Sequence, residues 1–419
     1  MTGLETLWAE STTESVSGQR LQGDDTADLA IIGGGFTGCS AALEAAGQGA
    51  DVALIEAQTI GYGGSGRNVG LVNAGLWLPP DDVCKILGPE AGEHLNRALA
   101  EAPGAVFDII KQHDIACEPQ RHGTLHLAHA PSAMAQLETR HAQMEARGAP
   151  VTLLDENEAQ ARTGTRQIHG ALHDARAGTI QPLAYAQGLA RAAQGQGARI
   201  YENTPALSAA QHGGQWIIRT ASGKLRAKRL LVATNAYHEG IQNLTMPSTS
   251  RVNFFQLATE ALGDNIAKGI LPGGEGCWDT GLIMSSLRRD NAGRIILGGM
   301  GDDTGVQENW ARRKLTKLFP ELSGVEVTHA WAGRISMTFD HLPRILRIGS
   351  NGLAVFGYSG RGIAPGTVFG TSTARALLNG DHSGLPIAPV DHHGERLTGM
   401  KSAIFEAGAR LRHLVDGRW

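Results

Sequence analysis

The chain has 419 residues, 42% of them hydrophobic, and its 37 Lys and Arg against 41 Asp and Glu leave a formal net charge of −4. That length and apolar content suffice for a large core and two domains, and the lack of any basic run or basic–aromatic stripe excludes nucleic acid as a partner. The four cysteines, Cys39, Cys84, Cys117 and Cys277, are far apart and form no CxxC pair, which argues against a disulfide frame or a metal site and for a reducing, cytoplasmic setting. Residues 1–27 carry acids and no apolar core, unlike a signal peptide, and are expected to lie over the surface with Trp8 as an anchor. No apolar stretch is long enough to span a bilayer.

Asp28 to Glu56 is the most informative stretch. Leu29–Ile32 is a short apolar run bounded by glycines and reads as a buried strand. Gly33-Gly34-Gly35-Phe36-Thr37-Gly38 then fits G-x-G-x-x-G. In that pattern Gly33 permits a sharp turn, Gly35 lets a diphosphate approach the backbone, and Gly38 lets the next helix pack tightly on the strand. The helix is predicted over Phe36–Gln48, its N-terminus facing the diphosphate. A second strand, Asp51–Ile55, ends at Glu56, 23 positions after Gly33. That spacing suits an acid on a ribose hydroxyl, and a carboxylate there disfavours NADP. Strand, loop, helix, strand and acid in this order identify a dinucleotide site.

The loop Gly61–Gly75 is too long and glycine-rich for a simple connection and reads as functional. Glu90–His113 has a helical apolar pattern that Pro103 is expected to divide. Thr124–Ala128 reads as a strand, Ser132–Arg147 and Leu183–Gln194 as helices, and Ala198–Glu202 as a strand. Gln215–Thr220 with Lys224–Lys228 reads as a hairpin, followed by a separate buried strand, Arg229–Thr234. Asn253–Ala261, Gly281–Leu287 and Gly293–Gly298 suggest a more antiparallel layer. Trp310–Phe319 is a predicted helix closed by Pro320, and Val325–Trp331 a strand. Gly352–Gly357 and Ile363–Asn379 are the last strand and long helix, with Gly380 as the cap. Met400–Trp419 reads as a basic helical tail.

Gly357-Tyr358-Ser359-Gly360-Arg361-Gly362 is a second strand-to-helix turn rich in glycine, with Pro365 in the first turn of its helix. Together with Arg361, that helix start suits charge that develops during a reaction, such as the N1–C2=O edge of a reduced flavin. With a single nucleotide fingerprint, the cofactor is expected to stay bound and to take electrons from a small molecule.

The opening motif, GYGGSGRNVGLVNAG, WAGRISMTFDHLPRI and GLAVFGYSGRGIAPGTVFG resemble FAD-dependent amine and amino-acid oxidases of the glycine oxidase and sarcosine oxidase superfamily. The resemblance runs from Trp8 to Leu378, and the branches acting on L-pipecolate and γ-glutamylputrescine are the most similar in look. It implies an α/β fold: a discontinuous Rossmann-like FAD domain (1–92, 152–247 and 331–390) with an inserted α+β, largely antiparallel substrate domain (93–151 and 248–330), and a helical tail (391–419).

It also implies roles. Gly33, Gly35, Gly38 and Glu56 would hold the ADP half of a non-covalent FAD, with Phe36, Thr37 and Ala57 beside them. Ser65, Gly66, Arg67, Asn68, Gly70 and Leu71 would line the diphosphate and flavin. Ala233, Thr234 and Asn235 would lie near the ADP. Gly333, Gly360, Arg361, Gly362 and Ile363 would flank the ring and ribityl chain. Val69 stands where the putrescine-related enzymes usually have glycine, which narrows the cavity.

Such enzymes take a hydride from the carbon beside an amine nitrogen, so orientation and a neutral amine are what the protein must supply. No catalytic base is assigned; His329 and His341 are the candidates. An amino-acid substrate needs a cation for its carboxylate, for which Arg288 and Arg361 are expected, with Trp331 and Tyr358 walling the pocket. The implied reaction oxidises a C–N bond of an imino acid or secondary amine, L-pipecolate first, and reduces O2 to H2O2. The alternatives are a γ-glutamylputrescine-type oxidase, a quinone-linked dehydrogenase, or a dinucleotide-binding module without turnover. The oligomeric state is left open.

Overall fold

A computed structural model describes residues 6–301 and 305–415. Its first sheet has the strand order Arg344–Ile348, Gly352–Phe356, Lys224–Val232, Asp25–Ile32, Val52–Ile55, Arg199–Tyr201, and a hairpin arm, Ser208–His212 and Gln215–Arg219, extends from Lys224–Val232. The five strands from Gly352–Phe356 to Arg199–Tyr201 are parallel. Leu29–Ile32 is buried throughout, as a strand covered on both faces must be. Chain order reverses between Asp25–Ile32 and Lys224–Val232, and ligands bind at such a switch point, beyond the carboxyl ends of the strands.

One face of this sheet carries the helices Phe36–Gly47, Pro182–Gly195, Ile363–Asn379 and Pro89–Gln112, which share one apolar core. Phe36–Gly47 and Ile363–Asn379 meet backbone to backbone: a Cβ on Gly370 would stand 2.3 Å from the Thr37 carbonyl oxygen. The hairpin arm covers the other face with Ala209, Trp216 and Ile218.

The second sheet has the order Val327–Met337, Ser250–Thr259, Ile295–Met300, Ser285–Arg289, Gly276–Asp279, Thr124–Leu127, Ala171–Asp174, Val151–Leu154. Its neighbours are antiparallel except Gly276–Asp279 beside Thr124–Leu127. One face packs on the helix Gly305–Leu318 through Phe255, Leu257, Leu297 and Trp310; the other faces the nucleotide sheet's loops.

Several expectations change. Pro103 does not divide its helix, which runs unbroken from Pro89 to Gln112. Proline deprives the Leu99 carbonyl of its helical donor, and Gly75 N–H replaces it at 3.0 Å. That helix packs with the nucleotide layer, although the resemblance puts 93–151 in the substrate domain. Lys224–Lys228 and Arg229–Thr234 are one strand, Lys224–Val232, whose outer half pairs in the arm and whose inner half lies in the parallel sheet.

The boundaries at 152 and 331 also move. Val151–Leu154 and Ala171–Asp174 belong to the second sheet, and Val327–Met337 stays in it along its whole length. The N-terminal segment is not merely superficial: Leu7–Ser11 is a short helix with Leu7 and Trp8 buried. The last helix, Thr398–Val415, lies against Ser250–Thr259, where Ser402 Oγ accepts from Arg251 N at 2.9 Å. Positions 416–419 of the expected tail fall outside the described residues. Among the described residues no helix is long and apolar enough to cross a membrane.

Gly38 is a tight joint of the nucleotide layer, where a Cβ would stand 1.9 Å from the Gly33 carbonyl oxygen. Gly38→Ala is expected to lower the unfolding free energy by about 1–3 kcal/mol, the scale of overpacking against atoms that cannot move aside. An unchanged urea midpoint would contradict this.

Candidate active site

A cavity of about 920 Å³ runs between the two sheets, at the large end for a ligand site. One end is built by the first glycine turn. Gly33 has φ +110°, and a Cβ there would meet Ala233 O at 2.8 Å; a Cβ on Gly35 would meet Ser65 Oγ at 2.8 Å. The helix Phe36–Gly47 starts at Gly35, which has no side chain to cap it; Ser65 Oγ accepts from Phe36 N at 3.1 Å, and the next first-turn N–H groups are left for an anion.

Beside it, Glu56 Oε2 accepts from Gly34 N at 2.7 Å and Oε1 from Gln58 N at 2.9 Å. Burial, with Glu202 nearby, raises this carboxyl above the usual 4.5. Ala57, Ala233, Thr234 and Asn235 line the same end, and Asn235 Oδ1 accepts from Gly357 N at 3.0 Å.

The middle is the loop after Gly61. Asn68 organises it: Nδ2 donates to the Gly64 and Ser65 carbonyls, both at 2.9 Å, and Oδ1 accepts from Gly70 N at 2.8 Å. Two tryptophans hold it from outside, Trp8 Nε1 donating to Asn68 O at 2.9 Å and Trp331 Nε1 to Arg67 O at 2.8 Å. Arg67 ties it to the second sheet through Ala332 O at 3.1 Å. Ser65, Asn68, Val69 and Leu71 face the cavity; Gly66, Arg67 and Gly70 shape the loop from behind. A Cβ on Gly66 would strike Gly61 O at 2.3 Å, and one on Gly70 would strike Ile180 O at 2.1 Å.

The far end is aromatic and cationic. Gly360, Arg361, Gly362 and Ile363 line it with Trp77 and Trp278. Gly360 has φ +93° and lies 3.0 Å from Trp77 Nε1 at its would-be Cβ. The Arg361 guanidinium lies 4.5 Å from the Trp278 ring centre and 5.8 Å from that of Trp77. Its Nη1 donates to Ala74 O at 3.1 Å. Arg140 lies behind it, 5.8 Å from the Trp278 ring, donating to the Leu76 and Trp77 carbonyls. Arg361 is 8% and Arg140 6% exposed, and among the described residues neither has an ion-pair partner. Burial, then each other's neighbourhood, brings Arg361 down to about 9, and burial brings Arg140 down to about 10; both stay charged at neutral pH.

Several expected site residues lie elsewhere. Arg288 is not among the lining residues: it is 1% exposed, donates to Ile180 O, and lies 5.5 Å from the Trp8 ring, beneath the N-terminal helix. Trp331 serves the loop and packs edge-on to Trp8 at 5.8 Å. Gly333 makes room for Phe254, whose ring a Cβ would meet at 2.4 Å. Tyr358 does line the cavity, but its hydroxyl bonds Thr37 Oγ1 at 2.7 Å and so joins the two glycine turns. His329 pairs with Glu10 at 2.8 Å and His341 lines a separate small hollow with Phe339 and Ile404. Gly38 lies beneath the turn, against Gly33. The residues missed from sequence, Trp77, Arg140, Gln256, Trp278 and Ser286, are single side chains from separate strands, loops and a helix, with no motif to mark them.

The DAO family profile, described as FAD dependent oxidoreductase, matches residues 28–376. A probable oxidoreductase, OrdL, of Rhizobium meliloti is 32% identical over 94% of this chain and 90% of its own length. The gamma-glutamylputrescine oxidoreductase of Escherichia coli is 32% identical over 85% of this chain and 84% of its own. The crystal structure of glycine oxidase from Geobacillus kaustophilus superposes with a TM-score of 0.72, at 19% identity, over 88% of this chain and all (100%) of that one, a likeness of fold.

FAD fits the residues present: an uncapped helix start for a diphosphate, glycines whose Cβ would fill the cradle, and a buried carboxylate with lone pairs left for ribose hydroxyls. Hydroxyl donors favour the ionised carboxylate, so FAD binding draws the raised Glu56 value down and releases a proton. Affinity is therefore expected to rise with pH up to the raised value of the free protein and then level off. Glu56→Gln should remove that slope and lower the FAD retained after gel filtration. Undiminished flavin content with an unaltered slope would contradict the assignment.

Proposed function

The chain belongs to the DAO family of FAD-dependent oxidoreductases, and on that premise we propose that it oxidises the C–N bond of an amine that carries a carboxylate. The observation that carries this reading is Arg361: a buried guanidinium, backed by Arg140 and with no ion-pair partner among the described residues, facing the cavity between two tryptophans. An uncompensated buried charge is costly, and a carboxylate in the cavity relieves it through a fork of donors.

Gly33 to Thr37 and Glu56 would hold the ADP half of a non-covalent FAD, and Ser65, Asn68 and Gly360 to Ile363 the flavin half. FAD supplies the two-electron acceptor for the substrate's hydride. Overall, the substrate loses one hydrogen from carbon and one from nitrogen, its C–N single bond becomes a C=N double bond, and O2 takes up both hydrogens and both electrons as H2O2. The neutral polar side chains Asn73, Ser286 and Gln256 line the same cavity as Arg361, and no protein base is assigned. L-Pipecolate, the compact donor expected from the sequence, and γ-glutamylputrescine, favoured by the Escherichia coli relative, both carry the carboxylate that Arg361 requires.

Anaerobic bleaching of the flavin by carboxylated amines, with peroxide formed in air, tests the reaction; bleaching with quinone reduction and no peroxide would make it a dehydrogenase. Arg361→Met is expected to raise KM for carboxylated donors about 30- to 1000-fold, equivalent to ~2–4 kcal/mol for removing one partner of a buried charged contact. An unaltered KM would contradict the reading.

A further inference from the structure

One register row of the second sheet roofs the cavity. Gln256 is opposite Gly298, Gly298 opposite Ser286, Ser286 opposite Trp278, and Trp278 opposite His126. Directly opposed residues share a face of a sheet, and Gln256, Ser286 and Trp278 all line the cavity. His126 stacks on Trp278 with ring centres 3.4 Å apart and anchors that end.

The row has one gap, and it is filled from the side. A Cβ on Gly298 would stand 2.2 Å from Gln256 Oε1 and 2.3 Å from Nε2, so the Gln256 carboxamide lies over Gly298. Gln256 is 4% exposed, and its amide oxygen, itself buried, has no hydrogen-bond partner among the described residues. Buried polar atoms are nearly always paired, and Gln256 lines the cavity, so a rotation of its carboxamide turns this orphan acceptor toward a ligand donor. At the other end of the row, Trp77 Nε1 is likewise unpartnered, beside Arg361. The Gly298 and Trp278 strands are two strand spacings apart, roughly 10 Å.

We propose that Gln256 is a specificity-determining residue that binds an N–H group of the substrate, and that the substrate is elongated, its carboxylate at Arg361 and Trp77 and the N–H group about 10 Å away. This rests on the reading that a carboxylate meets Arg361. In a compact α-imino acid the nitrogen lies about 2.5 Å from the carboxyl carbon, so such a molecule held at Arg361 leaves Gln256 unserved. An acylated diamine bearing a carboxylate, with its amide and amine N–H groups spread along the chain, reaches both poles.

The test uses the FAD-loaded enzyme with γ-glutamylputrescine and L-pipecolate as donors. Wild-type kcat/KM is expected to favour the elongated donor at least tenfold. Gln256→Leu should raise KM for that donor at least tenfold with kcat changed less than threefold, and raise it by a smaller factor for L-pipecolate. Gly298→Ala, which pushes the carboxamide out of the row, should reproduce the effect with Gln256 still present, so the proposal does not depend on one variant folding. Tryptophan fluorescence titrated with a non-oxidised γ-glutamyl alkylamide reads the same loss as a tenfold weaker Kd. A wild-type preference for L-pipecolate, or equal KM changes for both donors, would overturn the role of Gln256 while leaving Arg361 in place. If neither donor bleaches the flavin and Arg361→Met leaves alkylamide binding unchanged, the carboxylate reading fails and takes this inference with it.

Discussion

The backbone approach at Gly33 is the constraint on which the rest of the molecule depends. At φ +110°, the chain turns there between two parallel strand ends so closely that Ala233 O would lie 2.8 Å from any Cβ. Gly38 and Gly370 extend the same closeness to the helices Phe36–Gly47 and Ile363–Asn379, and Tyr358 bonds to Thr37 across them. Because these contacts are backbone to backbone, they fix the uncapped start of the Phe36–Gly47 helix at one end of the cavity. A group with a diphosphate and a ribose can use that start and Glu56 together, which makes this arrangement of glycines a binding device as well as a packing one.

The opposite end is governed by charge. Arg361 and Arg140 are buried together against Trp278, and no described carboxylate forms an ion pair with either; Asp174 and Asp82 act on them only from a distance. The aromatic faces recover part of the lost solvation, and the remainder is left for a ligand. The two ends are built differently: the end at Gly33 is made of main chain with one acid, Glu56, whereas the end at Arg361 is made of side chains from several separate elements. Between them the Gly61–Leu71 loop is held by Asn68 from within and by Trp8 and Trp331 from without, so the N-terminal helix contributes to the site without entering it.

The difference in legibility follows from this division. Main-chain sites leave spaced glycines, and the turn at Gly33–Gly38 with Glu56 is readable because each position needs a residue type at a fixed offset, whereas the roles expected of Ser65–Asn68 and Gly360–Ile363 come through the family resemblance. The long helix Ile363–Asn379 and its Gly380 cap emerge with the bounds expected from apolar period and capping. The substrate end leaves no such trace. Gln256, Ser286 and Trp278 share a face only through sheet register, and Trp77 joins them from a loop much earlier in the chain. Arg288 is the more attractive arginine in sequence, at a strand end, yet Trp8 and the Ile180 carbonyl enclose it. Pro103 misleads for a related reason: whether a proline breaks a helix depends on who takes the freed carbonyl, here Gly75 from a distant loop.

The central claim is that a tightly held FAD occupies the crevice between Gly33 and Arg361. The absorption spectrum of the protein as purified, before and after denaturation and filtration, tests it most directly. The account predicts flavin bands near one FAD per chain and release of that FAD into the filtrate on unfolding. A colourless protein that takes up no FAD, or a flavin that stays with the unfolded chain, would contradict it.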